Sequence, residues 1–434
     1  MEQTEDQIIV AKKYNSKIYP IYKMFAWDLL FYYSIIFLFL TQAKGFTASN
    51  VLFIDSFYYV FKLFIQIPCV NIVEFFGKRS SLILGNIIIA FFILVVILAK
   101  NIPTMIFANF LMALGYSIKS LCESSLLSDC ITEKEHPRTV FSNIDGKGSA
   151  FWYYLDAITA ISCGFLYVIN NYIPMLLCLT TCIISCILSL KFKIYENPNL
   201  KVKLKGEARS YKEYIEDLNI AFKNIFKSNR LKALLLFCGA FAAVLTVRTT
   251  IASSLFTEIG VKEEYFGLIF AVLTFISGMS SKRQNFFHKK YRNKVLTYFS
   301  LSFCISMIVI GLTAIIFRNS NFAFTIILFA YILQYIIKGP YYTLQKRYLN
   351  SFSTPTISTK IYSACTFIES IFNALIYWIA SILLGFMPTS HAIVILGCVF
   401  TLIFLFILDY MKDKIGLKPE EYNQKDISFT HIHK

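Results

Sequence analysis

Charged residues are scarce in this chain of 434 residues, because Asp, Glu, Lys and Arg together make up 16% of it, against about 25% in soluble domains. Hydrophobic residues make up 56%, and the mean hydropathy is +0.59. Glycine and proline, at 17 and 10 residues, are too few for a collagen-like protein. This composition excludes a soluble globular domain, a disordered chain and a small disulfide-bonded scaffold.

Sequence patterns that would indicate other functions are also missing. There is no Walker-type G-x-x-x-x-G-K-[ST] motif, so ATP is not expected as the energy source. The 11 cysteines contain no C-x-x-C pair and the 5 histidines have no metal spacing within a span, so we expect neither a metal nor a cofactor. The N-terminus mixes both charge signs and has no cleavage site, which argues against a signal peptide.

Long apolar runs bounded by polar loops divide the sequence into twelve predicted membrane spans. They cover roughly 19–41, 50–70, 81–99, 103–126, 148–169, 174–190, 232–256, 265–281, 295–317, 321–344, 360–386 and 391–410. Each is long enough to cross about 30 Å of hydrocarbon at a helical rise of about 1.5 Å per residue. The sequence therefore predicts an all-α integral membrane protein with twelve transmembrane helices.

The uneven distribution of Lys and Arg predicts the orientation in the membrane. With the N-terminus placed inside, the extracytoplasmic loops contain only Lys44, Lys100, Lys262 and Arg318. Lys62, Lys119, Arg248 and Lys338 lie well inside the spans, and the other 34 of the 42 basic residues fall in cytoplasmic segments or, for Lys23, Lys232 and Lys360, at the cytoplasmic ends of spans. We therefore predict a protein of the cell membrane with both termini in the cytoplasm. Basic loops at the anionic inner leaflet also account for the net charge of +16 without nucleic acid as a partner.

The longest loop separates two groups of six spans. We predict a cytoplasmic N-terminal segment, a six-helix bundle, a cytoplasmic central loop, a second six-helix bundle and a cytoplasmic tail, over 1–18, 19–190, 191–231, 232–410 and 411–434. Apolar residues recur every three or four positions between Tyr211 and Phe226 of the central loop. This pattern is typical of an amphipathic helix on the inner membrane surface.

The loop between predicted spans two and three carries a motif, VNIVEFFGKRSSL over 70–82. It resembles the G-x-L-a-D-r-x-G-r-k-x-x-l signature of the major facilitator superfamily. Gly77, Lys78 and Arg79 fit this signature, Glu74 replaces the usual aspartate, and the first glycine is absent. Such a motif combines a tight turn with basic side chains near helix ends and a carboxylate that can pair with them.

The resemblance covers roughly 19–410 and implies two six-helix pseudo-repeats that alternate between inward-open and outward-open states around a central site. The corresponding loop of the second half, 287–294, keeps only the basic character. Asp129 and Arg138, at and beyond the cytoplasmic end of span four, are expected to join the basic residues of the motif in an inner gate. We expect Arg79 to pair with Glu74 or Asp129.

Eight charged residues lie well inside the predicted spans, where each costs at least about 2.5–3.5 kcal/mol. They are Asp28, Lys62, Lys119, Glu123, Asp156, Arg248, Lys338 and Glu369. All are candidates for proton coupling or for a place in a binding cavity. For Lys62 and Arg248, the alternative is that the side chain reaches out to the membrane interface.

Asp28 is the leading candidate for coupling, because desolvation inside a span favours its protonated form. The alternative is a permanent salt bridge with Lys62 or Lys119. Lys119 and Glu123 are four residues apart and so share one helix face, which fits either a static ion pair or a pair that opens during transport.

The remaining intramembrane charges suggest ligand contacts. Arg248 and Lys338 could bind an anionic group, whereas Asp156 and Glu369, at related positions in the two halves, could bind protons or a cationic group. Gly339–Pro340 directly follows Lys338 and predicts a break in the tenth helix.

These observations favour a major-facilitator-type secondary transporter that moves a small organic solute and is coupled to protons. The alternatives are an integral membrane enzyme acting on lipid and a non-transporting receptor with a transporter fold. An enzyme would need acidic, histidine or metal groups clustered at one interface, whereas the charges are spread over seven spans. The expected partners are the solute, protons and membrane lipids, and a monomer suffices for this architecture.

Overall fold

The computed structural model describes residues 5–131, 137–193, 228–281, 283–291, 294–317, 320–351 and 355–411, with isolated positions between 212 and 226. The regular secondary structure of these residues is helical. In this described part, eleven helices are long and apolar enough to cross a membrane. The prediction of an all-α protein with many membrane-spanning helices is therefore confirmed, whereas the number of twelve spans and the orientation of the termini stay predictions.

The chain divides into two compact units, of which the first comprises Met1–Phe46, Phe57–Tyr211 and Glu263–Leu268. Its helices are α1 (Glu5–Ala26), most of α2 (Ala48–Phe76), α3 (Lys78–Leu98), α4 (Ile102–Cys130), α5 (Pro137–Ile169) and α6 (Ile173–Leu190). Helix α3 packs against α4 and α6, and α1 packs against α5 and α6. Gly85 and Gly115 let α3 and α4 approach closely, since a Cβ on Gly115 would lie 3.2 Å from the Gly85 carbonyl oxygen.

The first predicted span, 19–41, is not one continuous helix. Helix α1 ends at Ala26, residues 27–35 form turns, and helical structure resumes at Ile36 and becomes π-helical over Phe39–Ala43. Phe31 has a φ of +61°, which costs a residue with a Cβ about 1–3 kcal/mol. The helix stops here because Asp28 competes for the backbone, its side chain accepting a hydrogen bond from the Leu29 N–H at 2.8 Å.

The second unit comprises Thr47–Ser56, Lys212–Lys262 and Ile269–Lys434. Its helices are α7 (Asn229–Glu258), most of α8 (Glu263–Ser281), α9 (Val295–Ile316), α10 (Asn321–Ser351), α11 (Pro355–Phe386) and α12 (Thr389–Met411), with a short helix at Gln284–Tyr291. Helix α7 packs against α11 and α12, and α9 packs against α10 and α12. Phe241 of α7 contacts Tyr341 of α10 and Phe404 of α12, with ring centroids 4.7 and 5.7 Å away.

The predicted break at Gly339–Pro340 is wrong, because α10 continues through it from Asn321 to Ser351. A proline removes one intrahelical hydrogen bond, and dense packing can hold the rest of the helix in place. Gly339 provides that packing: a Cβ there would lie 2.2 Å from the Ser277 carbonyl oxygen of α8. Gly339 therefore allows α8 and α10 to pack closely and does not break α10.

The predicted central loop, 191–231, and the cytoplasmic tail, 411–434, lie mostly outside the described residues. The amphipathic helix therefore stays a prediction.

Candidate functional site

Asp28 lies just beyond the end of α1, half-buried, and its carboxylate is held by neutral donors. Its Oδ1 accepts hydrogen bonds from the Leu29 N–H at 2.8 Å and from the Tyr33 hydroxyl at 2.9 Å. A third hydrogen bond comes from the hydroxyl of Tyr116 on α4. The turn after α1 and the facing helix α4 thus create this site together.

The salt bridge considered for Asp28 does not form with either lysine, although all three residues are described. Lys119 donates instead to the carbonyl oxygen of Ala26, the last residue of α1. The Lys62 ammonium lies 6.0 Å from the ring centroid of Tyr58 on its own helix. Asp28 therefore carries its charge without a cation in contact.

Aromatic residues surround the unwound segment and satisfy part of its backbone. The Trp152 indole N–H of α5 donates to the Asp28 carbonyl oxygen at 3.2 Å. The rings of Trp27, Trp152 and Tyr153 pack edge to face, with centroids 5.0–5.2 Å apart. Unwound backbone inside a membrane persists only where other groups satisfy it, and here α4 and α5 supply them.

Lys119 and Glu123 of α4 also do not pair with each other, although both lie in the described part of the chain. Glu123 accepts a hydrogen bond from the Tyr22 hydroxyl at 3.0 Å, and that hydroxyl accepts one from Asn86 Nδ2 at 3.1 Å. The hydroxyl of Ser185 on α6 donates to Asn86 Oδ1 at 3.4 Å. A chain of neutral groups across α1, α3 and α6 therefore holds the second carboxylate.

An ion pair between α1 and α5 was missed by sequence reasoning. Lys23 Nζ lies 2.5 Å from Asp145 Oδ1, and the side chains are 7% and 33% exposed. Tyr19 donates to the same oxygen at 3.2 Å, and the Lys23 ammonium lies 4.8 Å from the Trp27 ring centroid. Tyr19, Lys23 and Trp27 are four residues apart, a spacing that places them on one helix face and could have revealed the cluster.

Asp156 and Glu369, the paired candidates of the two halves, lie in different units. Asp156 is half-buried on α5. Glu369 on α11 accepts hydrogen bonds from Gln345 Nε2 and, at 3.6 Å, from the Cys365 thiol.

The loop that carries the motif is built as a turn. Gly77 has a φ of +78°, which links α2 directly to α3 and is a conformation that glycine adopts without steric cost. Lys78 forms an ion pair with Asp129 at the end of α4. The side chains of Glu74 and Arg138 lie outside the described part of the chain.

Of the two acids expected to pair with Arg79, Asp129 pairs with Lys78 instead, and the side chain of Glu74 lies outside the described part of the chain. The Arg79 guanidinium donates to the Leu190 carbonyl oxygen at 2.7 Å and to the Phe192 carbonyl oxygen at 2.5 Å. Carbonyl groups at a helix C-terminus lack intrahelical partners and carry partial negative charge. Arg79 therefore caps the C-terminus of α6, whereas Lys78 forms the ion pair with Asp129.

Arg248 stands apart from the other charges because it is buried without a polar partner. Its side chain on α7 is 3% exposed, so it does not reach out to an interface. In the described part of the chain, Nε, Nη1 and Nη2 have no hydrogen-bond partner. Its Cζ lies 3.8 Å from the ring centroid of Tyr335 on α10, and the Lys338 ammonium lies 5.6 Å from the same centroid.

No three His, Cys, Asp or Glu side chains meet at a metal-binding distance within the described ranges. What the structure brings together is a carboxylate site around Asp28 and a cationic site around Arg248.

Comparison with known proteins identifies the fold. A family model described as the Major Facilitator Superfamily matches residues 23–329. A search of curated protein sequences found no match.

Solved transporter structures share the architecture. The nucleoside transporter NupG has a TM-score of 0.70 at 12% identity, over 93% of this chain and 99% of that chain. A POT family transporter in complex with 5-aminolevulinic acid has a TM-score of 0.64 at 13% identity, over 93% and 95%. A bacterial homologue of the human lysosomal transporter Spinster, inward-facing and unoccupied, has a TM-score of 0.61 at 13% identity, over 96% and 100%. At such identities the likeness is one of fold.

Proposed function

This chain belongs to the major facilitator superfamily, and on that premise we propose that it is a secondary active transporter. It moves a small organic solute across the cytoplasmic membrane by alternating access and is coupled to protons. The observation that carries this proposal is the Asp28 carboxylate, held by neutral donors at a break in the first predicted span.

Asp28 is suited to carry a proton because no ion pair has to break when its charge changes. Desolvation favours the neutral acid, whereas hydrogen bonds to the carboxylate favour the charged form. Tyr33 and Tyr116 suit both states, since a phenolic hydroxyl can donate to a carboxylate or accept from a protonated acid.

A conformational change can shift this balance. Two of the three donors, the Leu29 N–H and the Tyr33 hydroxyl, belong to the turns after α1, whereas Tyr116 belongs to α4. A movement of this segment against α4 removes a donor, and a hydrogen bond to a charged group is worth about 1.5–3 kcal/mol. That energy changes the proton affinity by roughly tenfold to a hundredfold.

Lys119 has a positioning role in this scheme. Its ammonium holds the last carbonyl group of α1 at Ala26, two residues before the carboxylate. Discontinuous helices with exposed backbone groups are frequent at the substrate and ion sites of transporters. We propose that Lys119 keeps the segment unwound and Asp28 in place.

The remaining parts of the proposal rest on the distribution of charge along the sequence. The basic loops place both termini in the cytoplasm, and the bundles over 19–190 and 232–410 form the two pseudo-repeats. The protein works as a monomer among membrane lipids.

Accumulation in proteoliposomes tests the coupling. A solute is first identified by thermal stabilisation of the purified protein and then offered to proteoliposomes with an imposed pH gradient. Asp28→Asn keeps the size of the side chain but cannot titrate near neutral pH. We expect it to abolish accumulation driven by the gradient while counterflow exchange of the solute survives.

The matched control is Asp409→Asn, which removes an exposed carboxylate of α12 and should accumulate solute like the wild type. Unchanged accumulation in Asp28→Asn would exclude the carrier role. A loss of counterflow together with accumulation would also exclude it and indicate a structural role.

A further inference from the structure

The proposed coupling through Asp28 does not use the cationic site around Arg248, yet the burial of this site is costly. Taking a charge out of water costs several kcal/mol unless a partner of opposite charge compensates it. Arg248 is 3% exposed and all three of its nitrogen atoms are without a hydrogen-bond partner among the described residues. Few buried polar groups in folded proteins are left in this condition.

The donors of Arg248 are buried, and the described part of the chain does not use them. The guanidinium lies over the Tyr335 ring, with Cζ 3.8 Å from the ring centroid. The N–H donors lie in the plane of the group and point outward from its edge, in a fork that matches a carboxylate or phosphate. The contact with Tyr335 therefore leaves these N–H donors without a hydrogen-bond acceptor among the described residues.

The charges nearest to Arg248 do not supply the missing anion. The ammonium of Lys338 lies 5.6 Å from the centroid of the same Tyr335 ring, which adds a second positive charge. The Glu369 carboxylate of α11 already accepts hydrogen bonds from Gln345 and Cys365. Two cations thus converge on one ring, and no described carboxylate lies within ion-pair distance of Arg248.

We propose that Arg248, with Lys338 beside it, binds the carboxylate or phosphate group of the transported solute, which is therefore an organic anion. Binding of the anion does not depend on the proposed function, but transport of the bound anion does. Arg248 makes a bidentate contact with the anionic group, and Lys338 contributes charge from the adjacent turn of α10. A solute that enters as an anion and is accompanied by a proton carries less net charge across the membrane.

Binding of simple aromatic anions by the purified full-length protein tests the site without any flux. The probes are benzoate and phenyl phosphate, with neutral benzamide as the matched non-ionic compound, and the readout is the shift in Tm in a neutral detergent. We expect both anions, but not benzamide, to raise the Tm of the wild type. Arg248→Gln should weaken anion binding about 30-fold or more, as expected when one partner of a buried charged contact is truncated.

Two further variants separate ligand binding from a structural role. Arg230 lies on the same helix and is 4% exposed, so Arg230→Gln is the control and should bind the anions like the wild type. Arg248→Lys keeps the charge but loses the fork, and should bind the anions more weakly than the wild type and more tightly than Arg248→Gln. Without ligand, Arg248→Gln should have an unchanged or higher Tm, because an uncompensated buried charge has been removed.

Four results would overturn the proposal. The first is a failure of both anions to stabilise the wild type, and the second is equal stabilisation of the wild type and Arg248→Gln. The third is a lower Tm of ligand-free Arg248→Gln, which would mean that Arg248 has a structural partner. The fourth is a larger stabilisation by phosphatidylglycerol than by phosphatidylcholine that requires Arg248 and is not reversed by benzoate. This result would assign the site to a lipid headgroup instead of a solute.

Failure of the proposed coupling is distinguishable from failure of this site. Asp28→Asn should bind benzoate as the wild type does, since the binding assay involves no gradient. A protein that binds anions through Arg248 but shows normal gradient-driven accumulation in Asp28→Asn would retain this inference and lose the coupling proposal.

Discussion

The ion pair between Lys23 and Asp145 allows a quantitative test of the packing of α1 against α5. Its two side chains are 7% and 33% exposed, so the two single substitutions leave different partners behind. Asp145→Asn leaves a nearly buried ammonium, and removing one partner of a buried pair costs about 3–5 kcal/mol. Lys23→Met leaves a carboxylate that reaches solvent and still accepts a hydrogen bond from Tyr19 at 3.2 Å, so about 1–3 kcal/mol is expected.

The assay is reversible unfolding by SDS in mixed micelles, read as the free energy of unfolding of each variant. We expect Asp145→Asn to be more destabilising than Lys23→Met. The double variant should recover part of the cost of Asp145→Asn, because the isolated ammonium is gone. The control is Lys62→Met, whose ammonium lies 6.0 Å from the Tyr58 ring centroid and which should cost less than about 1 kcal/mol.

Equal costs for the two single substitutions, or costs that simply add in the double variant, would refute this reasoning. Either result would mean that the ammonium and the carboxylate do not depend on each other.

Three other substitutions and one labelling experiment extend the test to the rest of the fold. Gly77→Val, at a φ of +78°, should cost about 1–3 kcal/mol and reduce transport while membrane insertion stays intact. Full activity of this variant would contradict a role for the turn. Gly339→Leu should lower the free energy of unfolding, because a Cβ would lie 2.2 Å from a carbonyl oxygen of α8. Pro340→Ala should leave the free energy of unfolding unchanged, because the helix is already continuous. A tag at Lys44 should react with impermeant reagents in intact cells and one at Lys205 should not, and labelling at Lys205 would exclude the predicted topology.

Hydrophobic length was sufficient to predict most of the helices. The predicted spans 295–317 and 391–410 differ by no more than two residues from α9 and α12, which are Val295–Ile316 and Thr389–Met411. Such agreement is expected, because the thickness of the bilayer sets the length of an apolar run.

The first span could not be predicted because its shape depends on contacts distant in sequence. Lys119 and Trp152 hold the unwound backbone at Ala26 and Asp28, and their positions are 93 and 124 residues further along the chain. An apolar run shows how long a helix can be, but not which residue of another helix will bind its carbonyl groups.

The sequence predicted which residues form the candidate site, but not which groups they contact. Intramembrane position singled out Asp28, Lys119 and Arg248, since each charge there needs a reason. Which groups contact them is a property of the packing: the ion pairs considered for Asp28 and for Lys119 with Glu123 are not formed among the described residues, whereas Lys23 and Asp145 form one. The unpartnered guanidinium of Arg248 likewise emerges only when the surrounding helices are in place.

Proton movement that accompanies the solute is the most direct test of the central claim. Proteoliposomes that contain a pH-sensitive dye, with no imposed pH gradient, are given the solute on one side only. In the wild type, downhill entry of the solute should change the internal pH, and in Asp28→Asn the solute should exchange in counterflow without a change in pH. Solute entry into wild-type proteoliposomes with no change in internal pH, or an equal change in Asp28→Asn, would contradict a proton-coupled transporter that works through Asp28.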